Sequence, residues 1–279
     1  MNLPNFLHLG PGKAGSTWVH EALSTHPEVF LTPAKDLYFF SRFYDHGPDW
    51  YAGQFKSAPP DSKVIGEVCP EYLWCPEAAA RIHETLGPGL RIMVTLRDPV
   101  TRAFSAYLYQ QKHGVTGRSF RQALEASPEI IEQGRYHTNL QRYLREFGPQ
   151  QIHVTLFDDL RADPQAFFDD VTDRLGLSRH RLADEVCKPQ LPASRARSVR
   201  LARWVKGGAV IARQHNGSAV VGLVKRSPWV QRVLYEPLGN RQPDIPEAEA
   251  SRIREQLEPE IVGIESTFGI ALRARWGWS

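Results

Sequence analysis

The residues best suited to chemistry come early, in "GPGKAGST" at positions 10–17. Between an apolar run and a helical pattern, the glycines permit a tight turn whose backbone N–H groups point inward. The start of the helix adds unpaired N–H groups and the positive end of its dipole. Ser16 and Thr17 contribute hydroxyls and Lys13 a charge, so the segment reads as an anion cradle. It departs from the G-x-x-x-x-G-K-[ST] loop because Ser16 stands where that motif has its lysine. A nucleoside triphosphate would lack its charge clamp there. Three readings stay open on these residues: a degenerate nucleotide triphosphatase, an unrelated turn, or a phosphate loop for different chemistry.

A second candidate is "RDPVTRAFSAY" at 97–107. Arg97 closes a predicted strand, Asp98 is a plausible helix cap, and Pro99 suits the first helical position. Ser105 follows on the same helix, so an arginine fork and a hydroxyl can converge on one phosphate. Arg102 reads as an intrahelical partner or a surface residue and is left out of the binding set. His8, on an apolar strand, reads as a core histidine, and Trp276 and Trp278 as hydrophobic anchors.

Taken together, the two segments resemble the PAPS-dependent sulfotransferases. In that family K-x-G-[ST]-T binds the 5′-phosphosulfate of 3′-phosphoadenylyl sulfate (PAPS), and R-[DN]-P-x-x-R-x-x-S-x-[YF] binds its 3′-phosphate. Here Arg97, Asp98, Pro99, Arg102, Ser105 and Tyr107 match the second pattern. The resemblance implies a donor set of Lys13, Ala14, Gly15, Ser16, Thr17, Trp18, Arg97 and Ser105, with Arg197 in "ASRARSVR" on a loop that closes over the donor. Further segments are similar to the heparan-type and bacterial small-molecule branch: "KDLYFFSRFYDHGPDWYAGQF" (35–55), "GEVCPEYL" (66–73), "GRYHTNLQRYLREFGPQQIHVTLFDDLRADP" (134–164) and "FGIALRARWGW" (268–278).

That branch implies a mechanism. An acceptor hydroxyl or amine attacks sulfur in line and displaces 3′,5′-phosphoadenosine (PAP). Lys13 stabilises charge on the leaving oxygen, and Asp36, standing where the branch carries a glutamate, is the candidate general base. Val68 replaces a lysine found in some members. His46, Trp50, Glu67 and Tyr72 are expected on the acceptor side, and no metal is expected to be required. A P-loop kinase or NTPase, and a non-catalytic nucleotide-binding protein on the same fold, are the rival readings.

These residues need a scaffold. Apolar runs at 5–10, 64–68, 90–97 and 151–160 predict strands, and 16–26, 98–111, 164–175 and 246–268 predict helices. Their alternation predicts an α/β fold: a single domain over 1–279 whose central, mostly parallel sheet is flanked by helices, with a variable, mainly helical or irregular segment at 178–245. A net charge of +3 is too small to argue for nucleic acid or a membrane, and no nucleic-acid partner is expected, although Arg195, Arg197, Arg200, Arg203 and Lys206 cluster as would suit an anionic ligand. Three cysteines without a C-x-x-C fit a reducing compartment. With no visible signal peptide or transmembrane segment, a cytoplasmic location is expected. The acceptor is expected to be a small molecule or glycan: a carbohydrate, lipid-linked or secondary-metabolite hydroxyl, or a phenol. The apolar stretch at 205–235 favours an amphiphilic or aromatic one over a large polyanion.

Overall fold

The computed structural model describes residues 3–113, 115–116, 119–188, 194–196, 235–237 and 243–278. At its centre β1 (Phe6–His8), β2 (Val29–Leu31), β3 (Val64–Val68), β4 (Arg91–Leu96) and β5 (Ile152–Leu156) form a five-stranded sheet in the order β2-β3-β1-β4-β5. Every pairing in it is parallel. Such strands are covered on both faces and must be apolar on both. β1 and β4 meet that demand with Phe6, Leu7, Ile92, Met93, Val94 and Leu96, all buried.

The connecting helices, in chain order, are α1 (Ser16–Leu23), α2 (Phe39–Arg42), α3 (Gly47–Gly53), α4 (Ala78–Leu86), α5 (Pro99–Lys112), α6 (Phe120–Ala126), α7 (Glu129–Glu132), α8 (Tyr136–Phe147), α9 (Phe157–Ala162), α10 (Pro164–Arg174), α11 (Asp184–Cys187), α12 (Glu247–Phe268) and α13 (Leu272–Trp276). Two apolar clusters divide them between the faces of the sheet. Trp18, Val19, Leu160, Phe167, Phe168 and Val171 bring α1, α9 and α10 against Phe6 and Met93. On the other face Ile82, Val100, Phe104, Tyr136, Leu140, Leu257 and Ile261 bring α4, α5, α8 and α12 against Leu7, Ile92 and Val94. The result is a three-layer α/β/α arrangement.

Local chemistry fixes several helix starts. The Asp98 carboxylate accepts from the N–H groups of Val100 (3.2 Å) and Thr101 (3.3 Å), with Pro99 in the first turn. Asp163 and Pro164 repeat the device at α10, and Ser119 with Gln122 forms a capping box at α6. The run expected as a strand over 151–160 ends at Leu156. Asp158 and Asp159 then sit in the first turn of α9, where the helix dipole favours carboxylates. β2 and α8 were not anticipated as elements. β2 is only three residues long, whereas α8 buries Tyr136, Leu140, Tyr143 and Phe147 along one amphipathic stripe.

Most of the segment expected to be irregular, 178–245, lies outside the described residues. Near its two ends, β6 (Ser194–Ala196) pairs antiparallel with β7 (Tyr235–Pro237). Among the described residues no helix is long and apolar enough to cross a membrane.

Candidate active site

The strand order reverses direction between β1 and β4: the chain leaves β1 toward β2 on one side and leaves β4 toward β5 on the other. α1, which follows β1, lies on one face, and α5, which follows β4, on the opposite face. The carboxyl ends of these two neighbouring strands are therefore the switch point at which open α/β sheets bind ligands. The loop 10–15 and Arg97 border it.

The loop is held by close backbone approaches. Gly10 (φ 99°) lies so near Pro70 that an added Cβ would come within 2.6 Å of its Cα. Gly15 (φ 88°) caps α1, and a Cβ there would come within 2.7 Å of Leu160 Cδ2. Conformation favours glycine at both sites, and at Gly10 the Pro70 backbone leaves no room for a side chain. Lys13 adopts φ 71° with a full side chain, and Asp36 (φ 65°) and Tyr38 (φ 59°) are the other left-handed non-glycine residues described. Strain of this kind persists only where surroundings over-determine it, and it concentrates at functional sites. Here it falls on the two loops that the sequence singled out.

Arg97 joins the two motifs physically. Its Nη1 donates to the Lys13 carbonyl (2.9 Å) and its Nε to Thr101 Oγ1 (3.2 Å), while the guanidinium lies 4.7 Å over the Phe157 ring. The Lys13 ammonium lies 4.4 Å over the Tyr109 ring. Thr101, Ser105, Tyr109 and Lys112 recur at helical spacing, so Ser105 shares the α5 face that these contacts turn toward the loop. Burial pulls the Lys13 ammonium down to about 8, reinforced by the charges of Lys35, Arg97, Lys112 and Arg102. Burial likewise lowers Arg97 to about 10. Positive charge is thus concentrated where its own repulsion is felt, and an anion held there would relieve it.

Arg102 corrects the reading of a surface or intrahelical side chain. It is fully buried, its Nη2 donates to the Ile130 carbonyl, and its Nε and Nη1 have no hydrogen-bond partner among the described residues. Of the remaining loop residues, Ala14 and Ser16 are buried and Thr17 is partly exposed. Trp18 turns away: its indole Nε1 donates to the Val186 carbonyl (2.7 Å) and its ring packs edge-on against Phe167, leaving only its backbone near the loop. Arg197 lies outside the described residues.

Asp36 is tied to the end of β3, its N–H donating to the Val68 carbonyl (2.9 Å), and its carboxylate pairs with Lys35 Nζ at 3.0 Å. Lys35 was missed in the sequence. After burial itself, its charge is the strongest influence on Lys13. Its position beside Asp36 in "KDLYFF" was the available signal.

The expected acceptor side is corrected in part. Glu67 and Tyr72 are both completely buried and cannot line an open surface. The Glu67 carboxylate instead accepts from the Leu37 N–H (3.0 Å), the Tyr72 hydroxyl (2.9 Å) and the Tyr51 hydroxyl (2.8 Å), and burial raises it to about 7. His46 is exposed and Trp50 half-buried, with their rings 4.9 Å apart. His8 behaves as a core residue: its Nε2 hydrogen-bonds Thr95 Oγ1 (3.0 Å), and burial lowers it to about 3, keeping it neutral. A cavity of about 390 Å³ opens at the opposite, amino end of the strands, lined by Phe6, Arg91, Met93, His153, Arg174 and Leu175. Both arginines there are committed, Arg91 to the Leu175 carbonyl and Arg174 to that of Gln150.

Residues 42–181 match the signature described as the Sulfotransferase family. This chain belongs to the sulfotransferase family. The family that the two motifs resembled is therefore the one found. Human bifunctional heparan sulfate N-deacetylase/N-sulfotransferase 2 is 31% identical over 198 residues, 63% of this chain and 22% of that protein. Human heparan sulfate glucosamine 3-O-sulfotransferase 3B1 is 31% identical over 186 residues, 63% of this chain and 47% of that protein. The chain thus spans less than half the length of these relatives. Among solved structures, a sulfotransferase from Alicyclobacillus acidocaldarius superposes with a TM-score of 0.61 at 26% identity, covering 83% of this chain and 100% of the other.

Proposed function

We propose that this member of the family transfers a sulfuryl group from PAPS to a hydroxyl or amine of a small-molecule or glycan acceptor, releasing PAP. The observation that carries the reading is the junction of the two motifs: Arg97 bonded to the Lys13 carbonyl, with Lys35, Lys112 and Arg102 adding charge around the Lys13 ammonium. The residues fit a multiply anionic nucleotide. The loop's N–H groups and the start of α1 receive the 5′-phosphosulfate, and Arg97 and Ser105 the 3′-phosphate.

In the proposed reaction the acceptor oxygen or nitrogen forms its bond to sulfur as the bond from sulfur to the bridging phosphate oxygen breaks. Lys13 stabilises the negative charge that grows on that oxygen. Asp36 takes the acceptor's proton. The mechanism calls on no metal, since the leaving group is a phosphate already held by cations.

The names of the relatives make glucosamine-containing glycans the first acceptor class to try, for O- or N-sulfation, with His46 and Trp50 as the aromatic rim. A cytoplasmic setting completes the proposal. The test is PAPS turnover against a panel of uncharged glycosides, heparan-type oligosaccharides, phenols and amphiphilic alcohols. Stoichiometric PAP release with a sulfated product supports the reading; the absence of any transfer, and of any PAP release in water, contradicts it.

A further inference from the structure

Glu67 is the most deeply buried carboxylate near the site, on β3 between β2 and β1, and among the described residues no cation is bonded to it. Such a group persists only when its lone pairs are satisfied. Three neutral donors do this: the Tyr51 hydroxyl from α3, the Tyr72 hydroxyl from the turn after β3, and the Leu37 N–H. The third donor is the informative one. Leu37 lies between Asp36 and Tyr38, the two left-handed residues of that loop, and the Asp36 N–H is itself bonded to Val68, the strand residue next to Glu67. Two consecutive N–H groups are therefore pinned to two consecutive residues of β3, one of them through a side chain.

We propose that Glu67 is a positioning residue for sulfuryl transfer, fixing the strained 36–38 backbone and with it the direction of the Asp36 carboxylate. This inference rests on the reading of Asp36 as the base. The tyrosines serve the same end. Phe39 stacks on Tyr51 at 4.5 Å between ring centroids and Phe40 packs edge-on against both Tyr51 and Tyr72, so the donors to Glu67 are locked by the aromatic helix that follows the loop. A central strand moves little, so a carboxylate anchored on it gives the loop a fixed reference that a solvent-facing group would not.

The experiment is a double-mutant cycle on kcat, read as PAP released from PAPS, with calorimetric PAP affinity measured for each protein. Glu67→Gln keeps the shape and one carbonyl acceptor. It is expected to lower kcat about tenfold while PAP affinity changes less than about twofold, since the donor loop is held independently by Gly10, Gly15 and Arg97. In an Asp36→Asn background the same change should cost nothing further, because Glu67 acts through Asp36. Should Glu67→Gln fail to fold, Tyr51→Phe removes one donor and keeps the ring; a smaller, equally non-additive loss of kcat is expected. Unchanged kcat in Glu67→Gln, or a loss fully additive with Asp36→Asn, overturns the positioning role while leaving the base intact. Full turnover in Asp36→Asn alone overturns the base reading, and the positioning role with it.

Discussion

Lys13 is asked to be cationic at the moment of transfer, yet its surroundings oppose its charge, holding it near 8. A bound polyanion favours the charged form and raises that value, so nucleotide binding takes up a proton above pH 8. PAP affinity should therefore be level from pH 7 to 8 and then weaken by up to about tenfold per pH unit. Calorimetry across pH 7–10 checks this, and Lys13→Ala should abolish the slope. The same variant should lose roughly 10²–10³-fold in kcat while retaining measurable PAP binding; unchanged turnover would remove Lys13 from the chemistry. At this scale a motif that fixes residue type and spacing led to Lys13 and Arg97, which the fold brings together. The sequence was illegible for Glu67, because a glutamate in a strand looks the same whether it faces solvent or three buried donors. Arg102 was equally opaque: only the packing of α7 and α8 around α5 shows that its face of the helix is closed.

Among the elements, the strand–loop–helix of β1 and α1 turns on Gly10 and Gly15, both at positive φ. Gly15→Ala must hold a left-handed conformation and displace Leu160, at a cost of about 1–3 kcal/mol from the backbone alone. Thermal unfolding should show a clear drop in Tm, and PAP binding should weaken because the start of α1 moves. A variant as stable and as tightly binding as the parent would refute the close packing of loop and α9. Elements with chemical start signals were readable to within a residue or two: α5 begins at Pro99 after Asp98, and α10 at Pro164 after Asp163. Those lacking them were not. β2 is too short to carry a period, and "FDDL" continues an apolar run while its carboxylates belong to a helix start.

Across the molecule, the C-terminal helices reach back to the elements that border the site. Trp276 Nε1 donates to Asp158 Oδ2 (2.9 Å), Arg275 pairs with Asp159, and the Trp278 side chain hydrogen-bonds the cap residue Asp98. Trp278 is only 9% exposed. The reading of these tryptophans as anchors agrees with that geometry. Trp278→Ala should cost about 3 kcal/mol, measured by denaturant unfolding, and loosen the start of α5; a loss under about 0.5 kcal/mol, typical of surface sites, would contradict the anchor. The parallel α/β architecture followed from alternating apolar runs and helical patterns. Strand order did not, because the pairing of β1 with both β3 and β4 is set by crossovers that no local pattern encodes.

In the proposed donor site, the loop and Arg97 together read a nucleotide bearing a 3′-phosphate. Calorimetric titration of PAP, 5′-AMP and ATP, each with and without magnesium, tests it most directly. PAP should bind tightly whether or not magnesium is present, and affinity should fall at least about tenfold when the 3′-phosphate is absent. Preference for ATP with magnesium would contradict this reading and make the loop a degenerate triphosphate site.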